Sequence, residues 1–202
     1  MRSRTEARFG NPLTRTRAVQ AAWGAMAGLI VGFAGLAGCH RFSAEAVANG
    51  QAALTLTSSS FESGRIPARF TCNGAETSPQ LAWTAPPAGT ASLALIVTDP
   101  DAPGGRFTHW VLYDLPAGKR ELPEGLAKLG QLEDGARQGR NDFDAVGYGG
   151  PCPPGKAAHH YVFTLYALDA KLNLAAGATR KQVESALQGH VLARGDLIAV
   201  YP

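Results

Sequence analysis

Ser92-Leu93-Ala94-Leu95-Ile96-Val97-Thr98 is an almost unbroken apolar run, and it ends on Asp99-Pro100-Asp101-Ala102-Pro103. A short run without polar alternation suits a strand buried on both faces. It delivers a carboxylate at its end, and the two prolines then stiffen a turn. His109 follows and leads into a second strand, Trp110-Val111-Leu112-Tyr113. The motif returns downstream. Gly147-Tyr148-Gly149-Gly150-Pro151-Cys152-Pro153-Pro154-Gly155 precedes His159-His160, which lead into the strand Tyr161-Val162-Phe163-Thr164-Leu165-Tyr166-Ala167. Stiff loops that present carboxylates and imidazoles at strand ends build a small polar pocket on a β-scaffold.

The rest of the chain agrees with a mainly β domain. Its 24 glycines and 13 prolines favour a turn-rich architecture over a helical bundle. Leu54-Thr55-Leu56-Thr57, Leu81-Ala82-Trp83 and residues 196–201 read as further strands. Residues 119–141 are polar, punctuated by glycine and weakly periodic, and read as a long surface excursion. One helix stands out. Thr179 caps it, Gln182 completes a capping box, Val183, Ala186 and Leu187 share a face, and Gly189 stops it.

The first 38 residues differ in kind. Arg2, Arg4, Arg8, Arg15 and Arg17 precede an apolar stretch from residue 18 to 37, which ends in Leu36-Ala37-Gly38-Cys39. A basic head, an apolar middle and small residues before a Cys make an export signal. The ending resembles a bacterial lipobox, in which Cys39 is lipidated and becomes the mature N-terminus. An uncleaved membrane anchor is the alternative. Residues 39–53 then form a small, polar tether, and residues 54–202 the domain. Either way the domain is extracytoplasmic and tethered to a membrane of the cell envelope, on the periplasmic side or at the outer membrane.

Charge belongs mostly to the leader. Residues 1–38 hold five of the 19 basic side chains and one of the 16 acidic ones, which leaves 14 against 15 and a formal charge of −1. No basic field remains to attract nucleic acid. With Cys39 assigned to the lipobox, Cys72 and Cys152 are an even pair in an exported domain. They read as a disulfide, with two free thiols as the alternative.

Asp99, Asp101, His109 and His159 carry the candidate chemistry. Imidazole titrates near neutrality, and a neighbouring carboxylate favours the cation. Two partly protonated histidines among glycine-rich backbone amides would accept a phosphate-like oxyanion. Tyr161 adds a hydroxyl, and Tyr148 and Gly149 are candidates for the rim. Taken singly, the aspartates are ordinary turn formers and His109 an ordinary core histidine. The set lacks a short metal-ligand spacing, implies no cofactor, and comes with no G-x-S-x-G, H-E-x-x-H or P-loop pattern.

The two motifs together resemble those of the phosphatidylethanolamine-binding proteins, also called Raf-kinase-inhibitor-like proteins, whose signatures read D-P-D-A-P…H-W and G-x-x-G-P-x-P-P-x-G…H-R-Y. Thr77-Ser78-Pro79-Gln80-Leu81-Ala82-Trp83, Asn141-Asp142-Phe143 and residues 161–169 resemble the bacterial branch. His160 stands where the family pattern has Arg. The resemblance implies a Greek-key-like antiparallel β-sandwich with a few peripheral helices. It also implies an anion pocket around Asp99, Asp101, His109, His159 and Tyr161. The function expected is binding of a small anionic ligand, a phosphate ester or phospholipid head group. A protease or kinase inhibitor module with a protein target is one alternative, and a weak hydrolase another.

Overall fold

The structure is a computed structural model, and it describes residues 52–202 apart from Lys156. The expected export signal, Cys39 and nearly all of the expected tether lie outside the described residues. Among those described, nine strands and one α-helix come in order: β1 Ala52–Ala53, β2 Leu56–Thr57, β3 Leu81–Trp83, β4 Ser92–Asp99, β5 Phe107–Pro116, β6 Glu121–Leu122, β7 Arg137–Gln138, β8 His159–Leu168, α1 Arg180–Leu187 and β9 Val191–Tyr201.

A six-stranded sheet has the order β1-β9-β8-β4-β5-β7, and a three-stranded sheet the order β2-β3-β6. Neighbours are antiparallel except β1 and β9. β4 is buried along its whole length, as its unbroken apolar run requires. Its alternating side chains serve two cores. Leu93, Leu95 and Val97 pack between the sheets with Trp83, Leu122, Trp110, Phe163 and Leu165. Ala94 and Ile96 face the other way, towards Val111, Tyr113 and the helix residues Val183 and Leu187. Fully burying a side chain of this size contributes about 1.5–3 kcal/mol.

α1 forms where its caps demand it. Thr179 accepts from the Gln182 backbone, and the Gln182 side chain accepts in return from the Thr179 backbone. Residues 119–141 depart from the sequence reading. This stretch is not a pure surface excursion: it contains β6 and β7, and Leu122, Ala136 and Gln138 are buried. Gln138 is satisfied inside the core. Its Oε1 accepts from Trp110 Nε1 at 2.8 Å, and its Nε2 donates to the carbonyls of Ala127 and Leu129. The Cys72–Cys152 disulfide is formed, with a Cα–Cα distance of 5.4 Å across a sequence separation of 80. No helix among the described residues is long and apolar enough to cross a membrane.

Candidate functional site

β4 runs antiparallel to both of its neighbours, so its last residue lies beside the first residues of β5 and β8. This topology brings the sequence-distant motifs together. Period two keeps Asp99 on the sandwich face with Leu93, Leu95 and Val97. The same period puts His159 and Tyr161 there with Phe163 and Leu165, while His160 points outwards. His109 needs a different device. Val97 pairs with Trp110 but Thr98 with Thr108, which makes His109 the extra residue of a β-bulge. Strict alternation would send His109 to the helix side with Val111. The bulge turns it to Tyr161 instead, with ring centroids 5.1 Å apart.

Asp99, His109, His159 and Tyr161 form the floor of a cavity of about 360 Å³. Asp99 is only 3% exposed and both of its oxygens are engaged. Oδ1 accepts from the Asp101 backbone N–H at 2.8 Å, and Oδ2 from His159 Nδ1 at 2.7 Å. His109 Nδ1 donates to the Gly149 carbonyl at 2.8 Å. With both Nδ1 atoms committed, Nε2 is the nitrogen each ring offers to a guest. Among the described residues, the Tyr161 hydroxyl is buried without a hydrogen-bond partner. A native protein rarely leaves such a group orphaned.

The walls are apolar. Phe107 and Phe143 meet edge to face at 4.7 Å, and His109 lies 5.2 Å and 5.5 Å from them. Residues 102–104 close one side and Cys152, Pro153 and Pro154 the other. Phe143 sits at the mouth because Asn141 builds the turn beneath it: Asn141 Oδ1 accepts from the Phe143 and Ala145 backbones, and Nδ2 donates to Gly147. Among the described residues lining the cavity there is no lysine or arginine. Its charge therefore rests on one carboxylate and two imidazoles. No three His, Cys, Asp or Glu among the described residues are grouped to hold a metal.

Burial corrects one sequence expectation. The carboxylates of Asp99 and Asp142 and the carbonyls beside His109 do favour its cation. Desolvation outweighs them, and the ring is held below its ordinary value of 6.5. Burial, with the Asp99 charge adding to it, likewise pushes the Tyr161 phenol upwards, so this hydroxyl stays a donor.

The other candidates take supporting places. Asp101 does not line the cavity. It sits at the surface, where its Oδ2 accepts from both the backbone N–H and Nδ1 of His160 at 2.8 Å. These bonds hold its carboxyl below the usual range. Tyr148 lies in the core and not at a rim. Its hydroxyl donates to the Phe70 carbonyl and its ring packs against Trp110. Gly149 exchanges two backbone contacts with His109, and a Cβ there would come within 2.6 Å of the Phe143 ring. It positions both residues without touching the cavity. Sequence reasoning missed Phe107 and Phe143. The Asx turn at Asn141 was the available signal for the second.

Fold and site together define a β-sandwich with a ligand-sized cavity at one end of its core. The profile of the family described as phosphatidylethanolamine-binding protein matches residues 57–202, and the chain belongs to that family. A UPF0098 protein of Methanothermobacter thermautotrophicus is 48% identical over 138 residues, 68% of this chain and 91% of that one. LppC of Mycobacterium tuberculosis, named as a candidate lipoprotein, is 40% identical over 150 residues, 73% of this chain and 70% of its own. Among crystal structures, Escherichia coli YbcL, described as a new member of the mammalian family, superposes with a TM-score of 0.69. It is 35% identical and covers 74% of this chain and 98% of its own. A family homologue from Chlamydia trachomatis gives a TM-score of 0.67 at 38% identity, over 74% of this chain and 97% of its own.

Proposed function

We propose that this chain is a membrane-tethered binding protein whose cavity takes a small, singly charged oxyanion such as a phosphate diester or phospholipid head group. The observation that carries this reading is that Asp99, His109, His159 and Tyr161 line one cavity, with the Tyr161 hydroxyl buried and without a partner among the described residues. A buried donor without an acceptor costs about 1–3 kcal/mol, and a ligand oxygen would satisfy it. His159, oriented by Asp99, supplies a second donor when its ring is protonated. Among the described residues the walls carry no permanent cation, and against those a single negative charge is matched better than a double one. The apolar walls suit the carbon substituents of an ester.

Calorimetric titration with dimethyl phosphate, which keeps one charge across the useful pH range, tests the assignment. Tyr161→Phe is expected to weaken binding about tenfold, the worth of one hydrogen bond to a charged group. The same substitution removes an unsatisfied buried hydroxyl, so the unliganded domain should gain about 1 kcal/mol of stability. Opposite signs in the two measurements support the site. Binding indifferent to both Tyr161→Phe and His159→Gln removes it.

The tether rests on Leu36-Ala37-Gly38-Cys39 and gains support from the name of the LppC relative. Mass spectrometry of the mature N-terminus decides it: a diacylglyceryl adduct on Cys39 is expected, and an intact Met1 overturns it.

A further inference from the structure

We infer that the Cys72–Cys152 bridge is a thiol–disulfide exchange site, and that its reduction by a dithiol releases one wall of the cavity. Both cysteines are exposed residues, so the bridge lies at the surface, where a thiolate can approach it. Cys152 is itself a wall residue, next to Pro153 and Pro154.

The consequence of cutting the bridge depends on the other ties that hold that wall. Among the described residues, no hydrogen bond or ion pair fixes residues 152–155. The last tie before them is the Pro151 carbonyl, which accepts from the Cys72 backbone at 3.1 Å, preceded by the Gly150 N–H on Glu76 Oε1 at 3.1 Å. The next is the His159–Asp99 bond at the start of β8. Among the described residues between those anchors, the disulfide is the one polar or covalent tether.

The exchange balances without a further reactant. A thiolate of the dithiol attacks one sulfur of the bridge, the S–S bond breaks, and the other cysteine leaves as a thiolate. The second thiol of the reductant then attacks the mixed disulfide. The dithiol is oxidised to its cyclic disulfide, two electrons pass to the protein, and the departing thiolates take up protons. The prolines limit the motion of the released segment. With φ fixed at three positions between 151 and 154, it swings as a stiff arm and does not collapse into the space it lined. The cavity opens to water on that side.

For its effect on binding, the exchange site rests on the proposed ligand, and the experiment separates the two. The oxidised domain is treated with dithiothreitol under native conditions, its new thiols are counted by maleimide labelling, and circular dichroism follows the fold. The bridge is expected to open without loss of β signal. The amide of Cys72, which donates to Pro151, should lose about tenfold in hydrogen-exchange protection. The Kd for dimethyl phosphate should rise about fivefold, and by linkage saturating probe should lower the equilibrium constant for reduction of the bridge by the same factor. Cys72→Ser/Cys152→Ser should reproduce the reduced state. If that variant does not fold, native reduction of the wild type decides alone. Reduction that proceeds only with unfolding, unchanged protection at Cys72, or an unchanged Kd overturns the inference. An oxidised domain that binds no probe overturns the ligand reading, and the Cys72 protection then still accepts or rejects the exchange site.

Discussion

The two walls of the cavity are built on opposite principles. Residues 102–104 belong to a turn held by hydrogen bonds. Asp101 donates its N–H to Asp99 and accepts twice from His160, so the turn is tied to β4 and β8 through carboxylates. Residues 152–154 belong to a turn held by one covalent bond. The difference teaches what each wall responds to. A wall fixed by carboxylates answers to protons, and a wall fixed by a disulfide answers to electrons. Both meet the same floor, where Asp99 and His159 are already paired.

The covalent wall should give the largest effect. Cys72→Ser/Cys152→Ser releases a long constraint on the unfolded chain. For a separation of 80 residues the chain-entropy argument gives a loss of about 4 kcal/mol. Urea denaturation under oxidising conditions measures it, and a loss near zero would mean that the bridge does not restrict the unfolded ensemble. On the hydrogen-bonded side, Asp99→Ala strands the His159 ring N–H and the Asp101 backbone N–H together. The His159 N–H is buried and carries the cost of an unsatisfied donor, while the Asp101 N–H lies at the surface and can turn to water, so the expected loss is about 2 kcal/mol. If Asp99→Ala proved harmless, the contrast between the walls would fail at its root.

A smaller effect is the pH response of the floor. Burial depresses the His109 pKa, so the unfolded chain binds more protons there than the folded one. The His109 contribution is therefore constant above about 6.5 and declines as pH falls below that value towards the depressed folded one. Comparing wild type with His109→Gln across pH 7 to 5, taken as roughly the window of imidazole titration, should show a shallower acid slope in the variant. The smallest effect belongs to His160→Ala at the surface. The variant loses the ring but keeps the backbone N–H, the larger cause of the lowering, so the Asp101 pKa should climb only part of the way back towards 3.8, read by its carboxyl chemical shift, with stability at neutral pH barely changed. A large loss at neutral pH would show that the turn depends on His160 alone.

Much of this was legible in the sequence, for identifiable reasons. β4 announced itself because burial on both faces leaves an unbroken apolar run, and α1 because Thr179 and Gln182 form a local capping pair. The floor was legible in kind, since Asp99, His159 and Tyr161 follow from strand periodicity once β4 and β8 are placed. Features decided by distant partners were hidden. β6 and β7 are too short for any period, and Gln138 is polar yet buried because Trp110 and two remote carbonyls satisfy it. Tyr148 looked like a rim residue because its hydroxyl partner, the Phe70 carbonyl, lies 78 positions away. The sign of the His109 shift needed its depth, which no local pattern encodes.

The placement of β4 between β5 and β8 has a kinetic consequence. The β4–β5 hairpin closes locally, but β8 must return across a long stretch of chain before it can pair, and Asp99 and His159 stand 60 positions apart. Contacts of such sequence separation are late and slow to form, because loop closure must come before any gain from pairing. The Asp99–His159 contact therefore belongs to the final stages of folding. A newly made chain would acquire its cavity only when its sheet is complete, so the Tyr161 environment could serve as a fluorescence clock for the end of folding.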